Sequence, residues 1–365
     1  MKIANILEVL EKMAPLQLQE SYDNAGLITG NRDWDCTGIT ISLDATEEVV
    51  LEAASKGHNL VVAHHPIVFS GLKKITGNGY VEKTIISAIK KDIAIYAIHT
   101  NLDNVMDGVN GKIADLLKLN NRKPLQPKRD LLKKLVTFVP VAQADQLATA
   151  LFAAGAGTIG DYSECGFQVE GMGSFKAGEA ANPFVGQRGL RHYEKESRIE
   201  VIYPLMRESQ VLEALLANHP YEEVAYDLYQ LSNSHPGIGS GLVGELEDVM
   251  PVRDFLEQLK QVFKVPVIRH SPLVKDSIKR VAICGGAGSF LISSALRNMA
   301  DIYITGDMKY HEFFEANGRL VIADIGHFES EQYTVDLLYD ILAKKFPTFA
   351  VFKTGVKTNP VNYYS

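Results

Sequence analysis

Apolar and polar positions follow two rhythms along this chain. At the N-terminus Ile3, Ile6, Leu7 and Leu10 recur at helical spacing. From there to about residue 120, short apolar runs alternate with amphipathic stretches. The runs 38–44 (GITISLD), 59–63 (NLVVA) and 93–98 (IAIYAI) predict strands, and EEVVLEAASKG, 81–92 and 111–119 predict helices. Thr46 followed by Glu47 and Glu48 marks a helix start, because a threonine oxygen caps free N–H groups and acidic residues suit the positive end of the dipole. Apolar strands separated by helices predict a mostly parallel sheet covered on both faces.

The C-terminal third repeats the order. Strands are expected at 280–284, 301–305 and 319–325, followed respectively by helices over FLISSALRNMA, MKYHEFFEANG and the long ESEQYTVDLLYDILAKKF. The middle has a different order. KLVTFVP, GFQVEGMGSFKAG, ESRIEVIYP and EEVAYDLYQL read as strands, with helices over AQADQLATALFAAGAG and ESQVLEALLANHP. That βαββαβ order is the ferredoxin-like pattern. Its flanks, 121–130 and 232–241, are rich in Pro, Gly and polar residues and read as linkers. The expected fold class is therefore α/β: two βαβαβα-type halves, 1–126 and 239–365, form one domain, and a ferredoxin-like α+β domain, 127–238, is inserted between them.

Composition narrows the function classes. A 365-residue chain with 46% hydrophobic and 22% charged residues is globular. Its net charge of −7 argues against a nucleic-acid partner. The three cysteines, Cys36, Cys165 and Cys284, form no CxxC pair, which predicts neither a disulfide framework nor a cysteine zinc site and points to a cytoplasmic protein. No apolar run is long enough for a membrane span, and Glu8 and Glu11 interrupt any signal-like core.

Ligand sites in open α/β sheets gather beyond the carboxyl ends of strands. There stand His64 and His65, then His99, Asn101, Asp103 and Asn104, then Asp307 and His311, and finally His327 and Glu331. His327 and Glu331 are four apart at a helix start, hence on one face. Each alone has an ordinary structural reading: a hydrogen-bonded core histidine, a turn-capping Asp103, a solvated His–Glu pair. Together, His64, His65, Asp103, His327 and Glu331 at one edge of one sheet are more ligands than a single open zinc site uses, and they suit two metals with a shared carboxylate. His311 and Asp307 are the candidate proton-transfer residues, and His99 is expected to make a core hydrogen bond. CGGAGSF (284–290) reads as a tight glycine turn, not a phosphate cradle, Cys284 as an inert buried thiol, and Tyr22-Asp23-Asn24 as a turn. The adjacent histidines raise a question of facing, since neighbours in a strand point opposite ways. Pro66 restrains His65 and cannot donate to a ladder, so the strand is expected to end near Ala63, before the pair, where alternation relaxes; otherwise the two rings diverge to meet different metals.

The segments YDNAGL, VVAHHPIVF, HTNLDNV, YITGDMKYHE and DIGHFESE, in this order, resemble the Nif-three-like family. Its members are also called GTP cyclohydrolase I type 2 homologues or dinuclear metal centre hexameric proteins. The likeness covers roughly 1–125 and 240–365, and the middle is similar to the CutA- or PII-like insert of longer bacterial members. The resemblance implies two divalent metals per subunit (zinc, iron or manganese) on His64, His65, Asp103, His327 and Glu331, with Glu331 bridging. It also implies a homohexamer, a toroid of two stacked trimers. The open N/O ligand set implies hydrolysis of a small substrate, a nucleotide or another phosphorylated molecule. The alternative is a non-catalytic metal-binding or regulatory protein whose insert senses a ligand or partner.

Overall fold

The strands Ile39–Asp44, Leu60–His65 and Ala94–Ala97 are apolar almost throughout because both of their faces are covered. In the second of them, Leu60 and Val62 enter one hydrophobic cluster while Val61 and Ala63 enter another. These three strands run parallel, Val351–Lys353 joins them in parallel at one edge, and Gly26–Thr29 closes the other edge antiparallel. The computed structural model describes residues 1–364 and divides into two compact units. One is Met1–Pro127 with the chain from Gly237 onward; the other is Lys128–Pro236.

The first unit holds two sheets, not one. The second has six strands, in the order Arg269–His270, Val321–Asp324, Ile302–Gly306, Ser277–Ala287, Gly239–Pro251 and Asn120–Pro127. Its central three are parallel and the others antiparallel. One hydrophobic cluster takes Ile39, Val62 and Tyr96 from the first sheet and Ile283, Ile302 and Val321 from the second. Helices Ile3–Met13, Val109–Leu116, Val252–Phe263 and Thr334–Lys345 contribute to it. Helices Glu47–Ser55 and Tyr80–Lys90 cover the outer face of the first sheet, and Ile292–Arg297 that of the second.

Several expectations change here. The supposed linkers 121–130 and 232–241 lie largely in or beside Asn120–Pro127 and Gly239–Pro251, which pair with each other antiparallel. Asn120–Pro127 tolerates its prolines because it is an edge strand, where a missing N–H breaks no ladder. Tyr310–Ala316 is a 3₁₀ helix, not an α-helix, and the long C-terminal helix is broken into His327–Glu331 and Thr334–Lys345. The strand expected to stop at Ala63 continues through both histidines to His65, where His65 pairs with Asp44 of the next strand.

In the second unit the sheet order is Gly166–Lys176, Arg191–Pro204, Leu132–Pro140, Tyr226–Leu231, all antiparallel. With helices Ala144–Ala153 and Glu208–Asn218 between strands, this is ferredoxin-like connectivity. Leu135, Ile199, Val201 and Tyr203 pack against Leu147, Leu151, Val211 and Leu215 of the helices.

Candidate metal centre

The carboxyl ends of parallel strands in both sheets supply one cluster. His64 and His65 end Leu60–His65, and Asp103 ends the short turn Thr100–Asp103 after Ala94–Ala97. His327 and Glu331 bound the short helix after Val321–Asp324. The ligand candidates therefore come from two sheets, not from one sheet edge.

Glu331 is the centre of the cluster. Its side chain is 3% exposed, and three imidazoles surround it. Its Oε2 lies 2.9 Å from His65 Nε2 and 3.2 Å from His327 Nε2. Its Oε1 lies 3.8 Å from His64 Nε2, which is 3.7 Å from Asp103 Oδ1. The three rings share a second feature. The Nδ1 atom of each is paired with an oxygen: Ile98 O at 2.8 Å for His64, Asp44 Oδ1 at 2.8 Å for His65, Asp307 Oδ2 at 2.7 Å for His327. An Nδ1–H held this way fixes the tautomer and orients Nε2 inward, the arrangement found around metal-ligating histidines. The two Nδ1 atoms of the histidine pair take different partners, yet the ring centroids are only 4.9 Å apart and both Nε2 atoms turn to Glu331.

Three triads have ligand atoms within 4.8 Å of one another: His65, His327, Glu331, then His64, Asp103, Glu331, and also His64, His65, His99. In the second, His64 Nε2 and Asp103 Oδ1 are buried and have no hydrogen-bond partner among the described residues. Buried polar atoms are seldom left so, and a cation between them satisfies both. The residues present thus fit a metal ion.

The titration behaviour has the same origin. Burial penalises the Glu331 charge, but His327, His64 and His65 around it hold its carboxyl well below the usual range. Burial also opposes charge on His65, but its bonds to Asp44 and Glu331 push it up to about 10; His327, against Glu331 and Asp307, rises to about 9. Burial and the like charge of Glu331 push Asp103 up to about 7.

Glycine is required next to this carboxylate. Gly286 has φ +64°, and a Cβ there would meet Glu331 Oε1 at 2.4 Å. In the CGGAGSF turn the N–H groups of Gly285 and Gly286 are taken by Asn110 Oδ1 and Ser330 Oγ, so they hold the protein together and cradle no phosphate. Cys284 is buried, and burial raises its thiol far above the ordinary value.

Of the two candidate proton-transfer residues, Asp307 holds the His327 ring, and His311 lies elsewhere. His311 is exposed on the 3₁₀ helix Tyr310–Ala316, where it meets Tyr310 edge-on and stacks with Phe314. His99 does stand beside the cluster. Its ring centroid is 5.3 Å from His64 and 5.5 Å from His65, and its Nδ1 pairs with Asp23 Oδ1 at 2.8 Å. Sequence reasoning missed Asp23 and Asp44. Asp44 had a signal, since it ends a strand; Asp23 read only as a turn residue.

A cavity of about 390 Å³ opens onto the cluster, walled by Tyr22, Phe69, His99, Asn104 and Phe290. A second, of about 510 Å³, is lined by Asp44, Arg269, Asp324 and Tyr363, and His65 and His327 border both.

The family model for Duf34/NIF3 (NGG1p interacting factor 3) matches residues 1–360. The chain belongs to the Duf34/NIF3 family. Among Duf34/NIF3 relatives, it is 38% identical to a "GTP cyclohydrolase 1 type 2 homolog" of Halalkalibacterium halodurans, over 100% of both chains. It is 36% identical to the protein of that name in Bacillus subtilis, covering 98% of this chain and 97% of that one. The crystal structure of a Bacillus cereus protein related to NIF3 matches with a TM-score of 0.86 at 37% identity, covering 100% of this chain and 99% of that one. No helix among the described residues is long and apolar enough to cross a membrane.

Proposed function

We propose that this protein holds two divalent metal ions per subunit and is a metal-dependent hydrolase of a small substrate. The observation that carries this reading is the buried Glu331 carboxylate, one oxygen facing His65 and His327 and the other facing His64 near Asp103. In the proposal Glu331 is shared, His65 and His327 complete one site, and His64 and Asp103 complete the other. The imidazole and carboxylate set suits zinc, iron or manganese. Ions at these positions would supply Lewis-acid polarisation of a carbonyl or phosphoryl oxygen. The chain's own residues orient the site: Asp44, Asp307 and the Ile98 carbonyl fix the three rings. The relatives' printed name supports a nucleotide or another phosphorylated molecule as the substrate class to try first, without assigning GTP. The resemblance supports a homohexamer of two stacked trimers, which light scattering of the purified protein would check.

The test is metal content and turnover measured together. Protein purified without added metal is expected to carry two ions per chain by elemental analysis. Asp103→Asn should retain one of them and Glu331→Gln neither. The loaded protein should turn over a member of a nucleotide and phosphoester panel, and equal turnover by Glu331→Ala would defeat the hydrolase reading. The second reading, a regulatory protein with a CutA- or PII-like insert, is favoured by the ferredoxin-like strand order and by a large cavity in the inserted unit.

A further inference from the structure

The inserted unit carries a cavity of about 650 Å³, within the range of small-molecule sites. It lies on the sheet face opposite the two helices. In antiparallel pairs, residues directly opposite share a face. Val169 and Phe138 both face Arg198, Gly171 faces Glu196 and Phe175 faces His192, whereas the helix-packed residues Leu135 and Val201 face each other.

Four observations make this a constructed site. Tyr221 stands between Phe175 and Phe184, each ring centroid 6.2 Å from its own, and Phe138 adds a fourth ring to the wall. Among the rings sits Glu196. Its Oε1 accepts the Tyr221 hydroxyl at 2.8 Å, and its Oε2 lies over Gly173, where a Cβ would meet it at 2.0 Å. The segment carrying Phe184 is tied across the opening, because the Asn182 N–H donates to Glu222 at 2.6 Å. At Gly171 nothing lies within 4 Å of where a Cβ would be, so the floor is bare.

The charge balance selects the occupant. On that face three glutamates line the cavity (196, 222 and 223) against Arg198, which is already engaged by Glu200 at 2.9 Å; Glu170 and Lys176, opposite Ser197 and Arg191, belong to the helix-packed face. Ring faces attract cations, and a carboxylate among them adds directly to that attraction. An anion would face carboxylates here. We propose that this cavity binds a small organic cation, an ammonium ion bearing alkyl or aryl groups, with Glu196 and the rings around Tyr221 as its seat. The proposal is independent of whether the metal centre catalyses.

Calorimetric titration of the full-length, metal-loaded protein tests it, with phenyltrimethylammonium as probe and benzyl alcohol and benzenesulfonate as neutral and anionic controls. The cation is expected to bind roughly tenfold or more tightly than either control. Glu196→Gln, which keeps an acceptor for Tyr221, should erase that preference. Gly171→Leu, which fills the floor, should abolish binding while the melting curve and metal content stay those of the parent. Equal binding of cation and anion overturns the proposal. So does undiminished binding by Gly171→Leu, or no binding of the cation at all with only a change in oligomeric state, which would make this face a contact between copies.

Discussion

Replacing Asp23 by Asn tests how the site is held in place. The Asp23 side chain is fully buried in the fold. Its Oδ1 accepts from His99 Nδ1 at 2.8 Å, and its Oδ2 accepts from the Thr100 N–H at 3.0 Å and the Thr100 hydroxyl at 2.5 Å. Those bonds anchor the turn Thr100–Asp103, which delivers Asp103 to the cluster. Burial alone would raise the Asp23 carboxyl, but the bonds from His99 and Thr100 outweigh it and hold the pKa at about 2, against an ordinary 3.8. At about 1.4 kcal/mol per unit, the difference corresponds to about 2 kcal/mol of stability. Because the folded value is depressed, this contribution is complete above pH 3.8 and is lost as pH falls through about 2. Urea unfolding of the parent and Asp23→Asn, compared across this range, should show a gap of about 2 kcal/mol at neutral pH that closes in acid. The variant should also bind less metal, since an amide cannot accept from the Thr100 donors and His99 together as the carboxylate does. A gap that stays constant down to pH 2 would show that the carboxylate's charge does not hold this turn.

Two further substitutions probe the supports of Glu331. Asp44→Asn weakens the grip on His65 Nδ1, now 2.8 Å from the carboxylate, and also alters the contact with Thr358 at 2.6 Å. Metal affinity, read by competition with a chromophoric chelator, should fall roughly 10- to 100-fold, as for other loss of a ligand's hydrogen-bond partner; unchanged affinity would refute the orienting role. Gly286→Ala places a Cβ against Glu331 Oε1 at a backbone angle that disfavours alanine. It should lower the melting temperature and the bound metal together, and a variant with full metal content would show that the carboxylate has room to move.

The legible parts of this molecule are those where a local pattern and the tertiary answer coincide. The strands around 39–44, 60–65 and 302–306 announce themselves because two covered faces leave only apolar residues. The rule that sites follow strand ends then collects His64, His65, Asp103, His327 and Glu331 without knowledge of which sheet each strand joins. The misses share a different cause. Asn120–Pro127 looks like a linker because an edge strand with much of its surface exposed needs no apolar run, and 239–241 because glycine and serine open its partner strand. The pairing of Asp23 with His99 joins positions 76 residues apart, and nothing local to YDN marks it. The strand-end rule also gathers His311, but the chain leaves the site after Asp307 and the 3₁₀ helix Tyr310–Ala316 carries His311 to an exposed position. At the histidine pair the strand does not end before His64; the two rings, their centroids 4.9 Å apart, each find a different partner for Nδ1, and the carboxylate reaches both.

That last point explains why a five-residue helix matters so much here. Leu60–His65 can aim its final two rings at one point, but it supplies imidazoles and no carboxylate between them. The second sheet solves this from outside. Helix His327–Glu331 enters with Glu331 one turn after His327, so one short element adds a third imidazole and a carboxylate in fixed relation. Gly286, on a neighbouring strand of the same sheet, leaves the space that this carboxylate fills. His64, His65 and Asp103 belong to one sheet, His327 and Glu331 to the other, and the shared hydrophobic cluster fixes the distance between them. Ions bound as proposed would therefore join the two sheets, and their binding energy would appear as folding stability as well as chemistry.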